Sequence, residues 1–394
     1  MSLANTQNRY GSIAKTFHWL TALLILTLIP LGIIANDMAY DTSEQLARKA
    51  WLFSLHKTLG VTVFFVALAR IGWAFKQPKP GGLHPERKAE SWLAETIHWL
   101  LYGSLVLVPL SGWIHHSATT GFAPIWWPFG QSLPFVPKSE SLAEVTAGLH
   151  IVFERVLVVS ILLHAAGALK HHFIDKDATL RRMWFGKSAL PDTKPSHHSN
   201  LPLASALLAW GVALVIGNAI GVFAHENTTL QVAELSAVQS DWTVQDGTID
   251  ITITQFGNDV VGQFNDWTAS IAFDPDSGTG TAQVNISIGS LTLGSVTAQA
   301  MGPDYFDNTT FPTAVFTADI APIVDGHMAT GTLTIRDKIV PIEMPFALNI
   351  QDDTAQMSAA MTLDRRDFDV GNNMADESSL KFPVRVQINL TATR

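Results

Sequence analysis

The sequence predicts a multi-domain membrane protein, an all-α transmembrane bundle followed by an all-β antiparallel barrel, and three observations carry that prediction. Of 394 residues, 47% are hydrophobic and 15% charged, too apolar for a chain that is soluble throughout. Charge splits along the chain: residues 1–224 hold 18 Lys and Arg against 12 Asp and Glu, whereas residues 225–394 hold 7 against 22. The hydrophobic period changes at the same place, from long unbroken runs to alternation.

Five apolar runs open the chain, roughly Phe17–Ile34, Leu52–Phe75, Trp92–Ile114, Ala147–Leu169 and Leu201–Phe223. Each is about long enough to cross ~30 Å of hydrocarbon as a helix. Basic residues set the orientation. Lys76, Lys79, Arg87 and Lys88 follow the second run, and Lys170, Lys176, Arg181, Arg182, Lys187 and Lys194 follow the fourth, so both connections are expected in the cytoplasm. Arg48 and Lys49 in the first outer loop are mild exceptions. The loop His116–Thr146 has Lys138 as its one basic residue and an aromatic run, Ile125–Phe129, suited to a membrane interface. The N-terminus is then cytoplasmic, and the fifth run is expected to deliver everything after Ala224 to the periplasm or exterior. The first run lacks a clear small-residue cleavage site and is read as retained; Val222-Phe223-Ala224 has the spacing of such a site, so cleavage there stays open. Pro191–Pro202 reads as a cytoplasmic linker. The expected domains are 1–190, 191–225 and 226–394.

After Glu226, strands are expected at Thr248–Thr254, Ala269–Phe273, Thr281–Ile288, Ala314–Ile320, Gly331–Arg336, Val340–Ile350, Gln356–Leu363 and Lys381–Leu390. In the last, Phe382, Val384, Val386, Ile388 and Leu390 face one way while Arg385, Gln387 and Asn389 face the other. About eight strands in ~160 residues suit a closed barrel without exposed edges, a sandwich being the alternative. The inward set, Ile342, Met344, Phe346, Leu348 and Ile350 with Met357, Ala359, Met361 and Leu363, is apolar. A small barrel so lined fills itself or encloses one apolar ligand. An acidic second half whose one histidine beyond His225 is His327 argues against nucleic acid as its partner.

Zero cysteines exclude disulfides, thiolate zinc sites, iron–sulfur clusters and covalently attached haem. Imidazole remains, and an ionisable side chain inside a span costs several kcal/mol unless paired or ligated. His18 falls near the cytoplasmic end of the first run and His56 near the outer end of the second; the fourth carries His150 at its outer end and His164 at its inner end. Fourteen helical residues turn ~1400°, so His150 and His164 share one face, ~21 Å apart. That leaves room for two stacked metal macrocycles. Two imidazoles per iron close both axial positions and make an electron carrier, and without cysteine the haem is b-type. Gly60, Gly148 and Gly167 stand where a flat macrocycle needs space, or serve helix packing. Arg70, fourteen residues after His56, lies at the inner depth and either pairs with a haem propionate or snorkels to the interface. Glu154 and Arg155 pair with each other or with propionates. His98, His115 and His116 compete as ligands, His98 alternatively meeting a quinone carbonyl. His171 and His172 are expected at the interface, and His84, His197, His198 and His225 in solvated loops.

The opening RYGSIAKTFHWLTALL, LHKTLGV around His56 and the His150/His164 pair resemble the bacterial di-haem cytochrome b561 family across residues 8–185. The resemblance implies four core helices with two haem b, axial ligands at His18, His56, His150 and His164, and electron exchange with ubiquinone. In one branch it implies oxidation of superoxide at the outer face, where Arg48, Lys49 and Lys57 would attract the anion. Related subunits of hydrogenases and formate dehydrogenases share this layout, so the electron donor, small molecule or protein, stays open.

Residues 240–394 resemble the YceI-like polyisoprenoid-binding family. The matching pieces are Gly262-Gln263-Phe264-Asn265-Asp266-Trp267, Asp304-Tyr305-Phe306-Asp307 with Phe311-Pro312, Gly331-Thr332-Leu333-Thr334-Ile335-Arg336 with Pro341, and Asp364-Arg365-Arg366-Asp367-Phe368. This implies a lipocalin-like barrel around a long isoprenoid such as a quinone tail. Gln245-Asp246-Gly247-Thr248-Ile249-Asp250 replaces the family's His-containing first strand, which puts a headgroup contact there in doubt. The expected protein is a membrane cytochrome passing electrons to or from ubiquinone with an isoprenoid-binding barrel attached. Two alternatives are a membrane-anchored isoprenoid or quinone carrier and the cytochrome b subunit of a larger dehydrogenase.

Overall fold

The computed structural model describes residues 2–119, 123–130, 132–185, 199–224, 233–235 and 240–394. Among them, five helices are long and apolar enough to cross a membrane: α1 (Ser12–Asp37), α2 (Ser43–Phe75), α3 (Lys88–Ala118), α4 (Glu140–Phe173) and, after the short α5 (Thr179–Met183), α6 (Leu201–Ala219). The first four outrun their apolar stretches because polar turns extend them beyond the hydrocarbon; α4 starts where Ser139 Oγ accepts the Leu142 N–H. The fifth is shorter than expected. It stops at Ala219, the chain turns through Gly221 at φ +82°, and Phe223 folds back so closely that a Cβ on Gly148 would stand 2.6 Å from its ring. The linker expected at Pro191–Pro202 lies outside the described residues as far as His198, and its last two residues belong to α6.

Two compact units emerge, Met1–Asp37 with Leu52–Ala118 and Pro124–His225, and Met38–Trp51 with Thr119–Ala123 and Glu226–Arg394. In the first, Ile25, Leu28, Val63, Ala67, Leu105 and Leu157 form the buried centre. Two small hydroxyls buried between the helices make their hydrogen bonds internally: Thr21 donates to Phe17 O and Ser160 to Val156 O. Apolar medium offers no other partner. The outward face is the reverse of a soluble protein's, with Leu23, Leu26, Leu162, Leu207 and Leu208 exposed as contact with lipid tails requires.

The second unit is built on one antiparallel sheet of ten strands. They are β1 (Thr243–Gln255), β2 (Asn258–Phe264), β3 (Trp267–Asp274), β4 (Thr279–Ser287), β5 (Leu291–Thr292), β6 (Thr313–Ile323), β7 (Gly326–Ile335), β8 (Lys338–Gln351), β9 (Thr354–Asp364) and β10 (Pro383–Thr393). Their order is β3-β4-β6-β7-β8-β9-β10-β1-β2-β5. The eight expected strands are present with shifted ends. The expectation missed β2 and β5, because Gly262 interrupts the alternation of β2 and β5 is two residues long. At Gly262 a side chain would meet Thr292 O at 2.5 Å, so glycine is what lets β5 approach.

The antiparallel barrel expected from the strand count is present as a curled half-barrel. Among the described residues no ladder joins the β3 edge to the β5 edge. The chain between β2 and β3 spends its hydrogen bonds elsewhere: Asn265 Nδ2 donates to Ser290 O, Asp266 N to Ser290 Oγ, and Ser287 N to Asp266 O. The concave face carries the alternating apolar residues of β8, β9 and β10 around a cavity of about 210 Å³. Phe382 is not one of them, for it precedes β10 and lies under the Arg366 guanidinium, 3.9 Å from its ring centre.

One charged side chain is built into this unit. Arg365, 4% exposed, donates to the carbonyls of Lys381, Val370, Gly371, Met374 and Leu380. Its charge is spread over backbone acceptors, which makes it a structural tie between segments.

Candidate functional site

Four of the histidines singled out in the helices lie in pairs. His56 on α2 faces His150 on α4, ring centroids 6.5 Å apart. His18 on α1 faces His164 on α4 at 6.1 Å. Since α4 supplies one member of each pair fourteen residues apart, the pairs occupy opposite ends of that helix. Metal–nitrogen bonds of about 2 Å on both faces of one iron put two axial imidazole centres roughly 6 Å apart. The spacing of both pairs fits that group.

The outer pair is oriented by backbone. Nδ1 of His56 lies 3.1 Å from Leu28 O on α1, and Nδ1 of His150 lies 2.8 Å from Val108 O on α3. A carbonyl only accepts, so these contacts assign the proton to Nδ1 and leave the Nε2 lone pair for a metal. One turn beyond each carbonyl stands a glycine. A Cβ at Gly32 would be 2.9 Å from His56 Cε1, and one at Gly112 would be 3.0 Å from His150 Nδ1. Sequence reasoning passed over both, because their role depends on which helix faces which.

The glycines it did select divide. Gly60 and Gly167 have nothing within 4 Å of an added Cβ, so neither is needed for helix packing. Gly148 serves helix packing instead, against Phe223.

The inner pair is shared. His98 on α3 stands 5.1 Å from the His164 ring, with its Nδ1 2.6 Å from Ala94 O. Arg70 Nη2 lies 3.5 Å from His18 Nδ1, and its guanidinium sits over Tyr102 at 5.2 Å. That places Arg70 beside the inner histidines. Glu154 and Arg155 pair with each other at 3.2 Å. His115 is turned to Ala143 O at 2.7 Å, with His116 edge-on to it.

Other expectations change. Lys57 is 7% exposed and so contributes no surface charge to a cationic rim. Arg48 is paired with Glu44, and Lys49 donates to Met38 O and lies over Tyr40. His84, expected in solvent, has its Nε2 3.1 Å from Asp177 Oδ2 and its ring stacked on His171. Nearby Asp175 is held below the usual carboxylate range by Lys170 and Arg87. His197, His198 and His225 lie outside the described residues.

In the second unit, the cavity is walled by side chains such as Trp267, Phe316, Met344, Met361 and Ile388. Gln245 sits at a bulge in β1 and donates to Thr393 Oγ1. It is exposed.

A family model described as prokaryotic cytochrome b561 matches residues 9–186, and one described as a YceI-like domain matches residues 234–392. Cytochrome b561 homolog 2 of Escherichia coli (strain K12) is 32% identical over 194 residues, covering 48% of this chain and 97% of that protein. The probable superoxide oxidase CybB of Yersinia pestis is 25% identical over 176 residues, covering 44% and 95%. Among solved structures, Burkholderia cenocepacia BcnA aligns with TM-score 0.37 and 28% identity, covering 39% of this chain and all of that one. The Campylobacter jejuni YCEI protein aligns at 0.32 and 20%, covering 41% and 91%.

Proposed function

Because the chain belongs to the prokaryotic cytochrome b561 family and carries a YceI-like domain behind its helices, we propose that it is a di-haem membrane cytochrome exchanging electrons with ubiquinone. The observation that carries this is the two imidazole pairs at opposite ends of α4. In this reading His56 and His150 hold one haem b, and His18 and His164 hold the other. Each haem, when bound, would supply one-electron redox chemistry.

The chain's own contribution is orientation and exclusion. Leu28 O and Val108 O fix the outer rings with Nε2 inward. The apolar helix centre between the pairs keeps water from the path. Arg70 sets a positive charge beside the inner pair, suited to a propionate. The family resemblance and the basic connections support a reading in which the N-terminus is cytoplasmic and the β-unit periplasmic, in a bacterial inner membrane. Superoxide is the outer electron donor we infer, on the likeness to a probable superoxide oxidase. The curled sheet with its apolar cavity binds an isoprenoid chain, and tethering keeps that cargo at high local concentration near the cytochrome.

A pyridine haemochrome assay on the purified full chain tests the core of the proposal. Two protohaems per polypeptide support it; fewer than two overturn it. A second reading, a membrane-anchored isoprenoid carrier, is favoured by the apolar cavity alone. It predicts extractable lipid from a chain whose reduced-minus-oxidised spectrum lacks a b-type band.

A further inference from the structure

Between α2 and α3, and just past the end of α4, the first unit gathers ligating side chains that the haem reading does not use. His84 Nε2 stands 3.1 Å from Asp177 Oδ2, and His171 Nδ1 stands 2.7 Å from the same oxygen. The three ligand atoms all lie within 4.8 Å of one another. The two imidazoles are stacked, 9° from parallel with centroids 6.2 Å apart.

The other nitrogen of His84 sharpens the picture. Its Nδ1 is 3.3 Å from Glu86 Oε1, and an ionised carboxylate only accepts. A neutral His84 therefore gives its N–H to Glu86 and turns a lone pair toward Asp177 Oδ2. Two lone pairs at that distance repel unless a cation lies between them. The outward carboxylate on Nδ1 is also the arrangement that holds metal-ligating histidines in one tautomer. Asp177 is braced likewise, its Oδ1 accepting the Thr179 N–H at 2.8 Å so that Oδ2 points at the rings.

Charge points the same way. The ion-paired set holds four carboxylates, Glu86, Glu90, Asp175 and Asp177, against two fixed cations, Arg87 and Lys170. Both cations are engaged with Glu90 and Asp175, so those two are already neutralised. Among the described residues neither cation ion-pairs with Glu86 or Asp177; Asp177 meets the two imidazoles, of which His171 also has its Nδ1 3.2 Å from Asp175 Oδ2.

We propose that His84 Nε2, His171 Nδ1 and Asp177 Oδ2 form a site for a divalent transition-metal cation of the zinc class. Two imidazoles and one carboxylate suit that class, and three protein ligands leave a fourth position for water. With metal–ligand bonds of about 2.0–2.1 Å, tetrahedral ligand atoms stand roughly 3.3 Å apart. The pairs found at 2.7 and 3.1 Å would open by about 0.6 and 0.2 Å, and the two ring nitrogens, within 4.8 Å of each other, would settle to the same spacing. The ion staples the α2–α3 connection to the end of α4, and the rival occupant is a proton on each ring.

The test uses the haem-loaded full chain in detergent, stripped with chelator, desalted and titrated with zinc chloride alone. The expected result is one chelator-removable zinc per chain. His84→Gln and His171→Gln abolish it, Glu86→Gln weakens it roughly tenfold, and the exposed neighbour change His172→Gln leaves it intact. Haem content and the reduced-minus-oxidised spectrum stay unchanged in all four, which separates this proposal from the cytochrome reading. Equal zinc in the parent and the His84 and His171 variants means an adventitious ion only, and overturns the proposal; so does an absence of zinc. Should those variants fail to fold, a zinc K-edge spectrum of the parent decides: a shell with two imidazole nitrogens supports the site, and an all-oxygen shell overturns it.

Discussion

His56 and His150 reach across from α2 and α4 until their ring centroids are 6.5 Å apart, and each is held there through Nδ1 by a carbonyl of a third or fourth helix. All four core helices thus converge on the outer pair.

Removing either ring should cost one haem. His56→Ala and His150→Ala are each expected to lower the pyridine haemochrome yield from two protohaems to one per chain, with helical content by circular dichroism unchanged. Retention of two would show that the iron is ligated elsewhere.

Gly32 and Gly112 should be sensitive although they touch no iron. Gly112→Val puts side-chain atoms where the His150 ring now lies, since the Cβ alone would be 3.0 Å from Nδ1. Tilting the ring weakens its bond to Val108 O. The expected outcome is a shifted or broadened b-band in the reduced-minus-oxidised spectrum, and the same for Gly32→Val through His56.

At the inner pair, His18 and His98 both approach His164. His18→Ala should lose the inner haem, while His98→Ala should keep it and alter quinone reduction instead. Haem stoichiometry and a quinone-reduction assay on the same two preparations separate the roles.

Arg365→Ala strands carbonyls that the guanidinium now satisfies. The expected loss is about 3 kcal/mol in the β-unit, read as earlier exchange of β9 and β10 amides in hydrogen–deuterium mass spectrometry of the full chain. Helix amides should be unaffected.

Acid should loosen the same unit. Asp364 is held below its ordinary value by hydrogen bonds from Arg366, Asp259 by Thr254 and Arg385, and Asp369 by Asn372 and Lys338. Folded carboxylates then bind protons less readily than unfolded ones, so stability is full above the ordinary aspartate value and declines as pH falls below it. Amide exchange of the β-unit, corrected for intrinsic rate, should be flat from pH 8 to about 5 and should quicken from about 4 downward. Asp364→Asn should flatten part of that decline.

Much of this architecture was legible because it rests on fixed periods. The 3.6-residue turn puts His150 and His164 on one face of α4, and the two-residue repeat shows which side of β8, β9 and β10 is apolar. What escaped depends on chain segments meeting across space. Gly32 matters only because α1 passes His56, and Asp177 only because the chain returns to His84 after α4. The open order of the sheet escaped because Asn265 and Asp266 turn to the Ser287–Ser290 segment, a choice no alternation pattern records.

The cavity of the β-unit has an oily wall, and its one charged lining residue is occupied by backbone. A container of this kind has no grip on chemical detail. Any guest would be sorted by girth and contour, as a sheath sorts blades: a slim hydrocarbon would fit where one carrying a polar group down to the floor would not.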